Sequence, residues 1–574
     1  MKILLLHTDF VEWEPKKKAI KEAEDAGKGP VKVKDALVVL SAVERCDEPN
    51  PSGTAEKVAE EIDKVAKQVN AKNVVLYPYA HLSSELSKPD TALDVLRESE
   101  KLLKKKKYSV WRAPFGWYKS FDIKCKGHPL SELSRDISPD GLKKKAAPRA
   151  EKAEEKPIDH KALLREISKS KLDRENLKEN DHRILGQKMD LFSFSEVAPG
   201  MVFWHDKGLI IYNELVKMWR EEHRKAGYQE ISTPLILDKK LWQISGHWEK
   251  YRDNIFLTDY ENRPFAVKPM NCPGGMLVYK SRPKSYKDLP LRVGELGIVH
   301  RQEMSGVLTG LFRVINFTQD DAHIFCTERQ LDSEIAAIIG LIDLFYKRFG
   351  FDYHVELSTR PEKRIGDDKI WDKAEKILEG VLKKGKMKYK VNKGDGAFYG
   401  PKIDFHIKDS LGRTWQCATV QLDFSMPDRF ELTYTGEDNK PHRPVMLHRV
   451  VYGSLERFIG ILLEHTNGAL PVWLSPIQVR VLSFTDRNTR AAESFAKKLK
   501  EAGIRTDTDT GSDTVDYKVR EAEIQRIPYI IVIGDKEEKA GTIAVRTRGQ
   551  KKVKFGVRPE DFVREVCDKV ESYG

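Results

Sequence analysis

Three residues far apart in the chain have the donor atoms that a metal site would need. Cys272 sits in Lys268-Pro-Met-Asn-Cys-Pro-Gly-Gly275, a turn-rich stretch. His323 follows Phe317-Thr-Gln-Asp-Asp-Ala322, and His448 follows Pro444-Val-Met-Leu447. One thiolate and two imidazoles suit zinc and leave a fourth position open, as catalytic zinc sites do. Spacing alone does not join them, because they read as parts of three distant loops in a chain with 15 histidines. A buried thiol and two hydrogen-bonded imidazoles are the plain alternative. A second set is cationic: Arg301 in His300-Arg-Gln-Glu303, Arg313 in Gly310-Leu-Phe-Arg313, and Arg457 in Gly453-Ser-Leu-Glu-Arg-Phe-Ile-Gly460. Guanidinium forks suit phosphate oxygens and stay charged at any physiological pH. Phe317 could stack on a base. Three arginines in surface ion pairs are the alternative. No GxxxxGK[ST] loop occurs, so a nucleoside triphosphate would be gripped by side chains.

These groups need elements to position them. Gly208 to Ala226 has helical periodicity with Leu209, Tyr212, Leu215 and Trp219 on one side, and Gly227 supplies the stop. Tyr228-Ile231 reads as a strand. Leu296-Val299 and Leu311-Phe317 read as two strands joined by the glycine-containing loop Ser305-Gly310, which puts Arg301 after one strand and Arg313 in the other. Earlier, strand-like runs at Lys2-Leu6, Ala36-Val43 and Asn73-Tyr77 flank an amphipathic stretch, Ser52 to Val69, as in a small α/β domain. Residues 138–160, rich in Lys, Glu, Ala and Pro, read as a linker, followed by a charged helical stretch from His160 to Leu177. From Pro476 onward, strands at Gln478-Ser483, Arg505-Asp509 and Tyr529-Ile533 alternate with helices at Thr489-Ala502 and Thr514-Gln525, a second compact α/β domain.

The 574 residues suffice for three or four domains. A net charge of +12 fits a polyanionic partner such as nucleic acid, although lysine-rich solvated surfaces give the same sum. Six scattered cysteines without a CxxC pair point to a reducing compartment. Met1-Lys-Ile-Leu-Leu-Leu-His is too short an apolar run for a secretory signal, and no run reaches the ~18 apolar residues of a membrane span. A soluble, cytoplasmic protein is expected.

Longer strings carry a resemblance. Arg301-Gln-Glu-Met-Ser-Gly306, Gly310-Leu-Phe-Arg313 and Phe317-Thr-Gln-Asp-Asp-Ala-His-Ile-Phe325 resemble motif 2 of class II aminoacyl-tRNA synthetases, and the Phe317–His323 string is similar to the threonyl enzymes in particular. Gly208 to Pro234 resembles motif 1, and Pro444-Val-Met-Leu-His-Arg449 through Arg457 resembles motif 3. Asn271-Cys-Pro and Tyr399-Gly-Pro-Lys-Ile-Asp404 add further family strings, so the resemblance spans nearly all of 181–475. It implies a multidomain chain of α/β and α+β class. The parts would be an N-terminal α/β editing domain at 1–140, a linker and charged helix at 141–195, a class II antiparallel-sheet catalytic core at 196–475, and a C-terminal α/β anticodon-binding domain at 476–574. It implies ATP-dependent attachment of threonine to tRNA(Thr) through a threonyl-adenylate, with one zinc ion per subunit, Mg2+ with the ATP, and a homodimer formed through motif 1.

The resemblance also assigns roles. Cys272, His323 and His448 match the zinc ligands. Arg301 matches the residue on the α-phosphate and Arg457 the γ-phosphate arginine; Glu303, Arg313 and Gln416 match the ATP site and Phe317 the adenine-stacking position. Gln319, Asp321, Tyr399 and Gln421 match the threonine pocket, Lys402 lies on a pocket string, and His247 matches a proton relay near the terminal ribose. Gly275 and Ile315 depart from the family pattern, which usually has a histidine and a second arginine there. Zinc selection would reject valine, which lacks the hydroxyl. Serine lacks only a methyl, worth ~1–3 kcal/mol, too little for fidelity, so a second, editing site is expected. His81 in Tyr77-Pro-Tyr-Ala-His-Leu82, Tyr118 and Lys119 in Ala113-Pro-Phe-Gly-Trp-Tyr-Lys-Ser120, and Glu132 match functional positions of the archaeal editing domain, which is similar to D-aminoacyl-tRNA deacylases. Taken without the resemblance, they read as a surface lysine and a capping histidine. The rivals are a prolyl or seryl relative, a synthetase-like RNA-binding module that has lost catalysis, and a free-standing deacylase with a bystander core.

Overall fold

Period-two and period-3.6 runs alternate through the first part of the chain, and in the computed structural model they build one sheet with two helices. The structure describes residues 1–137 apart from 21, 22, 28, 84 and 129, then 164, and then 177–573. The expected linker and most of the charged stretch after it lie outside the described residues. The chain divides into two units, Met1–Ile158 and Asp159–Gly574.

In the first unit β1 (Lys2–Lys18) pairs antiparallel with β2 (Val31–Ala42). Helix α1 (Pro51–Gln68) leads to β3 (Asn73–Pro78), and α2 (Pro89–Lys105) leads to β4 (Ser109–Arg112). β5 (Trp117–Cys125) and β6 (Glu132–Asp136) both pair with β1, giving the order β4-β3-β2-β1-β5 with β6 beside β1. Helix α1 starts where Asn50 accepts from the Gly53 amide at 3.0 Å and Pro51 fills a position needing no donor. Its Ala55, Val58, Ala59, Ile62, Val65 and Ala66 recur at helical spacing and are buried against the sheet.

The second unit is built on α3 (Asp206–Lys225) and an eight-stranded sheet. Its strands are β7 (Gln229–Glu230), β8 (Leu291–His300), β9 (Asn316–Cys326), β10 (Asp352–Ser358), β11 (Tyr389–Asn392), β12 (Lys402–Lys408), β13 (Thr414–Asp423) and β14 (Val445–Val450), in the order β11-β10-β12-β13-β14-β9-β8-β7. The six strands from β10 to β8 are antiparallel throughout. α4 (Cys272–Lys280) precedes β8. α5 (Leu331–Arg348), α6 (Asp368–Lys384) and α7 (Leu455–Thr466) bury Ile335, Ile342, Leu378, Phe458 and Leu462 in one core with the sheet.

Two expectations fail here. Leu311–Phe317 is not a strand: β9 begins only at Asn316 and runs to Cys326. Leu311 and Phe312 are apolar because a turn buries them, with Phe312 against His182 and Trp415, not because they pair in a sheet. Nor is Cys272 in a loop. The Pro273-Gly-Gly275 run that looked like a turn is the first turn of α4, where proline costs no hydrogen bond.

The chain ends in a five-stranded sheet. β15 (Val479–Ser483) lies parallel between β16 (Thr506–Asp509) and β17 (Tyr529–Ile533), and β18 (Ile543–Thr547) and β19 (Lys554–Val557) continue it antiparallel. α8 (Thr489–Glu501), α9 (Val515–Ile524) and α10 (Pro559–Glu571) cover it. Arg480 and Lys518 are buried in this segment. Arg480 pairs with Asp507 at 2.6 Å, and Lys518 donates to the Ser483 carbonyl. No helix of the described residues is long and apolar enough to cross a membrane.

Candidate active site

Alternation along β9 separates two jobs. Successive side chains point to opposite faces of a strand. Phe317, Gln319, Asp321 and His323 therefore share one face, and Thr318, Asp320 and Ala322 the other. The second face is framework. Asp320 is buried and accepts from the Val451 and Gly453 amides at 2.8 and 2.9 Å; burial pushes its pKa up to about 6. Glu456, at the start of α7, accepts from the Thr318 amide at 3.0 Å, and burial pushes it up to about 7. These contacts lock β9 to the turn before α7.

The first face borders two cavities. One, of about 190 Å3, is lined by Cys272, Arg301, Gln319, Asp321, Tyr399 and His448, among others. The other, of about 430 Å3, is lined by Arg301, Glu303, Arg313, Phe317, Gln416 and Arg457, among others. Arg301, Gln319, Thr419 and Val450 belong to both walls.

Cys272, His323 and His448 converge at the wall of the smaller cavity, which Cys272 and His448 line, with their ligand atoms within 4.8 Å of one another and all three side chains buried. They come not from three loops but from a helix start and two adjacent strands, since His323 and His448 are direct cross-strand partners. Their rings meet edge to face at 5.1 Å. His323 Nε2 is buried without a hydrogen-bond partner, an arrangement costly unless something else occupies its lone pair. Burial first, and the neighbouring His448 second, lower the His323 pKa well below the ordinary imidazole value. Burial and the carboxylates of Asp321 and Asp423 push the Cys272 thiol well up, so a thiolate there needs a cation beside it. His448 Nε2 lies 3.0 Å from Asp423 Oδ2. An orphaned imidazole nitrogen, a thiol and a second imidazole fit a zinc ion.

Around them, Asp321 is raised by burial and accepts from Asn271 Nδ2 at 3.3 Å. Asn271 lies against Gly297, where a Cβ would come within 2.0 Å of its Oδ1, so only glycine admits this approach. Tyr399 packs its ring 5.1 Å from that of His448, and Gln421 donates to the Gly400 carbonyl.

In the larger cavity the Arg301 guanidinium lies 5.1 Å from the centre of the Phe317 ring and its Nε donates to the Pro269 carbonyl. Arg313 and Glu303 pair at 2.8 Å. Arg457 donates from Nε to the Phe312 carbonyl, and burial lowers its pKa. Gln416 and Thr419 both donate to Asp404, at 2.6 and 2.9 Å.

Two residues stand back from the walls. Lys402 is held by Asp404 at 2.8 Å and Asp395 at 3.2 Å and lines neither cavity. His247 is fully buried behind Met270, whose Sδ lies 2.8 Å from its Nε2; burial brings its pKa down to about 3. Gly275 has room beside His323, since a Cβ there would sit 3.4 Å from Nδ1. Ile315 is a buried apolar residue whose amide donates to Gly200. The sequence reading missed Thr419, which lies two residues before Gln421 and was available from strand alternation. It also missed Tyr251 and Met270, which lie outside the sheet and carry no periodic signal.

The first unit has its own cavity, about 360 Å3, lined by Tyr77, Tyr79, His81, Phe115, Tyr118 and Lys119, among others. Lys119 donates to the carbonyls of Pro114 and Trp117 and sits 5.1 Å from the Tyr77 ring centre. Burial lowers its pKa to about 8, against a smaller opposite effect of Glu24. Glu132 does not join this group. It is exposed at the start of β6 opposite Leu6, whereas Lys119 lies opposite Pro15, nine residues further along β1. At 3.3 Å per residue that is roughly 30 Å of strand.

Known proteins match in three stretches. Residues 1–137 match the archaea-specific editing domain of threonyl-tRNA synthetase. Residues 256–466 match the class II tRNA synthetase core domain, and 478–569 an anticodon-binding domain. A threonine–tRNA ligase of Desulforamulus reducens is 56% identical over 398 residues, 69% of this chain and 62% of that protein. One of Carboxydothermus hydrogenoformans is 56% identical over 65% of this chain and 59% of its own length. The chain thus spans about three fifths of the length of these relatives. The crystal structure of the RNA-binding domain of threonyl-tRNA synthetase from Cryptosporidium parvum superposes with a TM-score of 0.66 at 39% identity, covering 68% of this chain and 98% of that one. With an archaeal-type editing segment, a class II core and an anticodon-binding segment in one chain, the protein belongs to the threonyl-tRNA synthetase family.

Proposed function

We propose that this chain attaches threonine to tRNA(Thr) at the expense of ATP and removes serine attached in error. One observation carries the reading: the two core cavities share Arg301 in their wall, and the Cys272, His323, His448 cluster stands in the wall of the smaller one. An amino acid held in the small cavity and a nucleotide in the large one would bring carboxylate and α-phosphate together at Arg301.

In that arrangement Phe317 and the Arg301 guanidinium offer the faces between which an adenine and its phosphate lie, and Arg457 and Arg313 reach the outer phosphates of MgATP. The carboxylate oxygen of threonine attacks the α-phosphorus, and pyrophosphate leaves. Negative charge builds on the α-phosphate oxygens, where Arg301, fixed by the Pro269 carbonyl, stabilises it. Confinement of both reactants supplies much of the remainder. Cys272, His323 and His448 would hold zinc, which when bound offers a Lewis-acid face to the amino and hydroxyl groups of the amino acid. Asp321 accepts the hydroxyl proton. Valine would leave Asp321 and that face unpaired, a penalty of the strong kind. Acyl transfer to the 3′-terminal ribose completes the reaction.

In the first unit, Lys119, Tyr118 and His81 stand around a cavity that would admit the seryl end of tRNA(Thr). Water assisted by the terminal ribose hydroxyl would release serine there. The α3 helix and the adjoining β7 are the surface through which two copies would pair, and the basic C-terminal segment would meet the anticodon loop. The four domains proposed are 1–140, 141–195, 196–475 and 476–574. ATP–pyrophosphate exchange with threonine, serine, valine and proline, with and without a zinc chelator, tests the core. Exchange is expected with threonine, less with serine, little with valine, and none after zinc removal. Exchange with proline, or with no amino acid, would overturn it.

A further inference from the structure

The face of the sheet that carries Asp404 holds a second group of metal-ligand type away from Cys272. β10 and β12 are antiparallel neighbours, and His354 lies directly opposite His406. Glu356, two residues along β10, points to the same face. The three ligand atoms lie within 4.8 Å of one another. Glu356 Oε1 is 3.5 Å from His354 Nε2, and Oε2 is 3.6 Å from His406 Nε2. Those separations are too long for good hydrogen bonds. They are close to the roughly 3.3 Å between ligand atoms arranged tetrahedrally at ordinary zinc–nitrogen and zinc–oxygen bond lengths. The imidazoles stack with ring centres 4.9 Å apart and an 11° tilt, side by side across the two strands.

The surroundings support ligation. Asn392 on β11 donates from Nδ2 to Glu356 Oε2 at 3.2 Å, orienting the carboxylate as outer groups orient metal ligands. Val355 and Leu357, on the opposite face of β10, are buried in the core, so the backbone beneath the group is rigid. The three side chains are 41%, 21% and 20% exposed for His354, Glu356 and His406, which leaves an ion a way in and positions open to water. In the sheet order, β13 separates this group from β14 and β9, which carry the other two histidines.

We propose that His354, Glu356 and His406 form a second, solvent-facing site for a divalent first-row metal ion, with two imidazoles and one carboxylate as ligands and the remaining positions held by water. The donor set suits zinc, cobalt and their neighbours rather than magnesium or calcium. The ion clips β10 to β12 two residues from Asp404, which holds Gln416 and Thr419 in the wall of the larger cavity.

Titration of the metal-stripped full chain with Co2+ tests this, because the two sites differ in chemistry. Cys272 gives a thiolate-to-cobalt charge-transfer band, and the second site adds only weak visible bands. Two Co2+ per chain are expected. The His354→Ala/His406→Ala double variant is expected to bind one, with the thiolate band intact, and Cys272→Ser is expected to lose that band while keeping the other ion. Failure of the Cys272 arm alone would count against the site described earlier and not this one. Glu356→Gln and Asn392→Ala serve as milder variants if the double variant fails to fold; the second is expected to weaken the second ion about 10-fold. A single Co2+ in the parent chain that carries the thiolate band, or no loss of Co2+ in the double variant, would overturn the proposal.

Discussion

The core cavities and the cavity of the first unit solve different problems with different materials. In the core, the polar groups stand on strands: Phe317, Gln319, Asp321 and His323 alternate along β9, and His448 faces them from β14. Their positions are fixed by the sheet ladder and by buried carboxylates such as Asp320 and Glu456 behind it. The cavity of the first unit is lined largely by apolar and aromatic side chains. Its sequence-marked polar groups come from a short turn at His81 and from the start of β5. A rigid polar wall discriminates by leaving groups unpaired; an apolar one with a few reactive groups discriminates by size and access. The first suits rejection of an isostere lacking a hydroxyl, the second removal of a smaller substrate that has passed the first.

The sharpest way to break this contrast is to remove the polar floor of the core. Cys272→Ser, or chelation of the parent protein, is expected to lower kcat/KM for threonine-dependent pyrophosphate exchange by about 10^4, to background and the level expected of valine, as for sites that pair a substrate hydroxyl. A preference for threonine over valine that survives would place selection elsewhere. Next in size, Arg301→Ala is expected to lower exchange by ~10^2–10^3, the cost of one fixed donor at a developing charge. Because Arg301 stands in both walls, KM should rise for both threonine and ATP. A change confined to one substrate would separate the two cavities. Third, Lys119→Met is expected to slow hydrolysis of seryl-tRNA(Thr) by about 10^2 while leaving threonine exchange unchanged, in the range of a lost acid–base or orienting group. Unchanged serine release would remove Lys119 from the chemistry.

The same contrast explains what could be read in the sequence. The Phe317–His323 string told its own geometry, since period two sends alternate residues to one face. Thr419 was equally readable from Gln421. The strand expected at Leu311–Phe317 failed because apolar residues in a buried turn mimic a strand, and only the neighbours His182 and Trp415, far off in sequence, settle it. The Pro-Gly-Gly run after Cys272 was ambiguous for a similar reason: a helix's first turn and a loop tolerate the same residues. In the first unit the resemblance alone grouped Glu132 with Lys119, 13 positions away in the chain. The register along β1 instead pulls them apart, and register is a property of pairing that no single strand's composition states. His247 shows the limit for single residues, since nothing in Ser245-Gly-His-Trp248 announces complete burial.

The smallest effect concerns Lys119 and stability. Its folded pKa, about 8, lies below the ordinary 10.5 because burial disfavours the ammonium. Between those two values the unfolded chain binds a proton that the folded chain does not, so this residue makes stability rise as pH climbs from about 8 to 10.5. Below pH 8 the folded state carries the full cost of the buried charge; above 10.5 the cost is gone. Lys119→Met removes the charge in both states. The variant is therefore expected to have the higher thermal midpoint at pH 7, and its advantage should shrink steadily as pH is raised through this window. The difference between variant and parent is the quantity to measure, because every other titrating group cancels in it. A constant difference would mean that the Lys119 carbonyl contacts and nearby water fully compensate the charge. Lys119 would then titrate normally, and any pH dependence of serine release near pH 8 would have to come from the tRNA or the bound water instead.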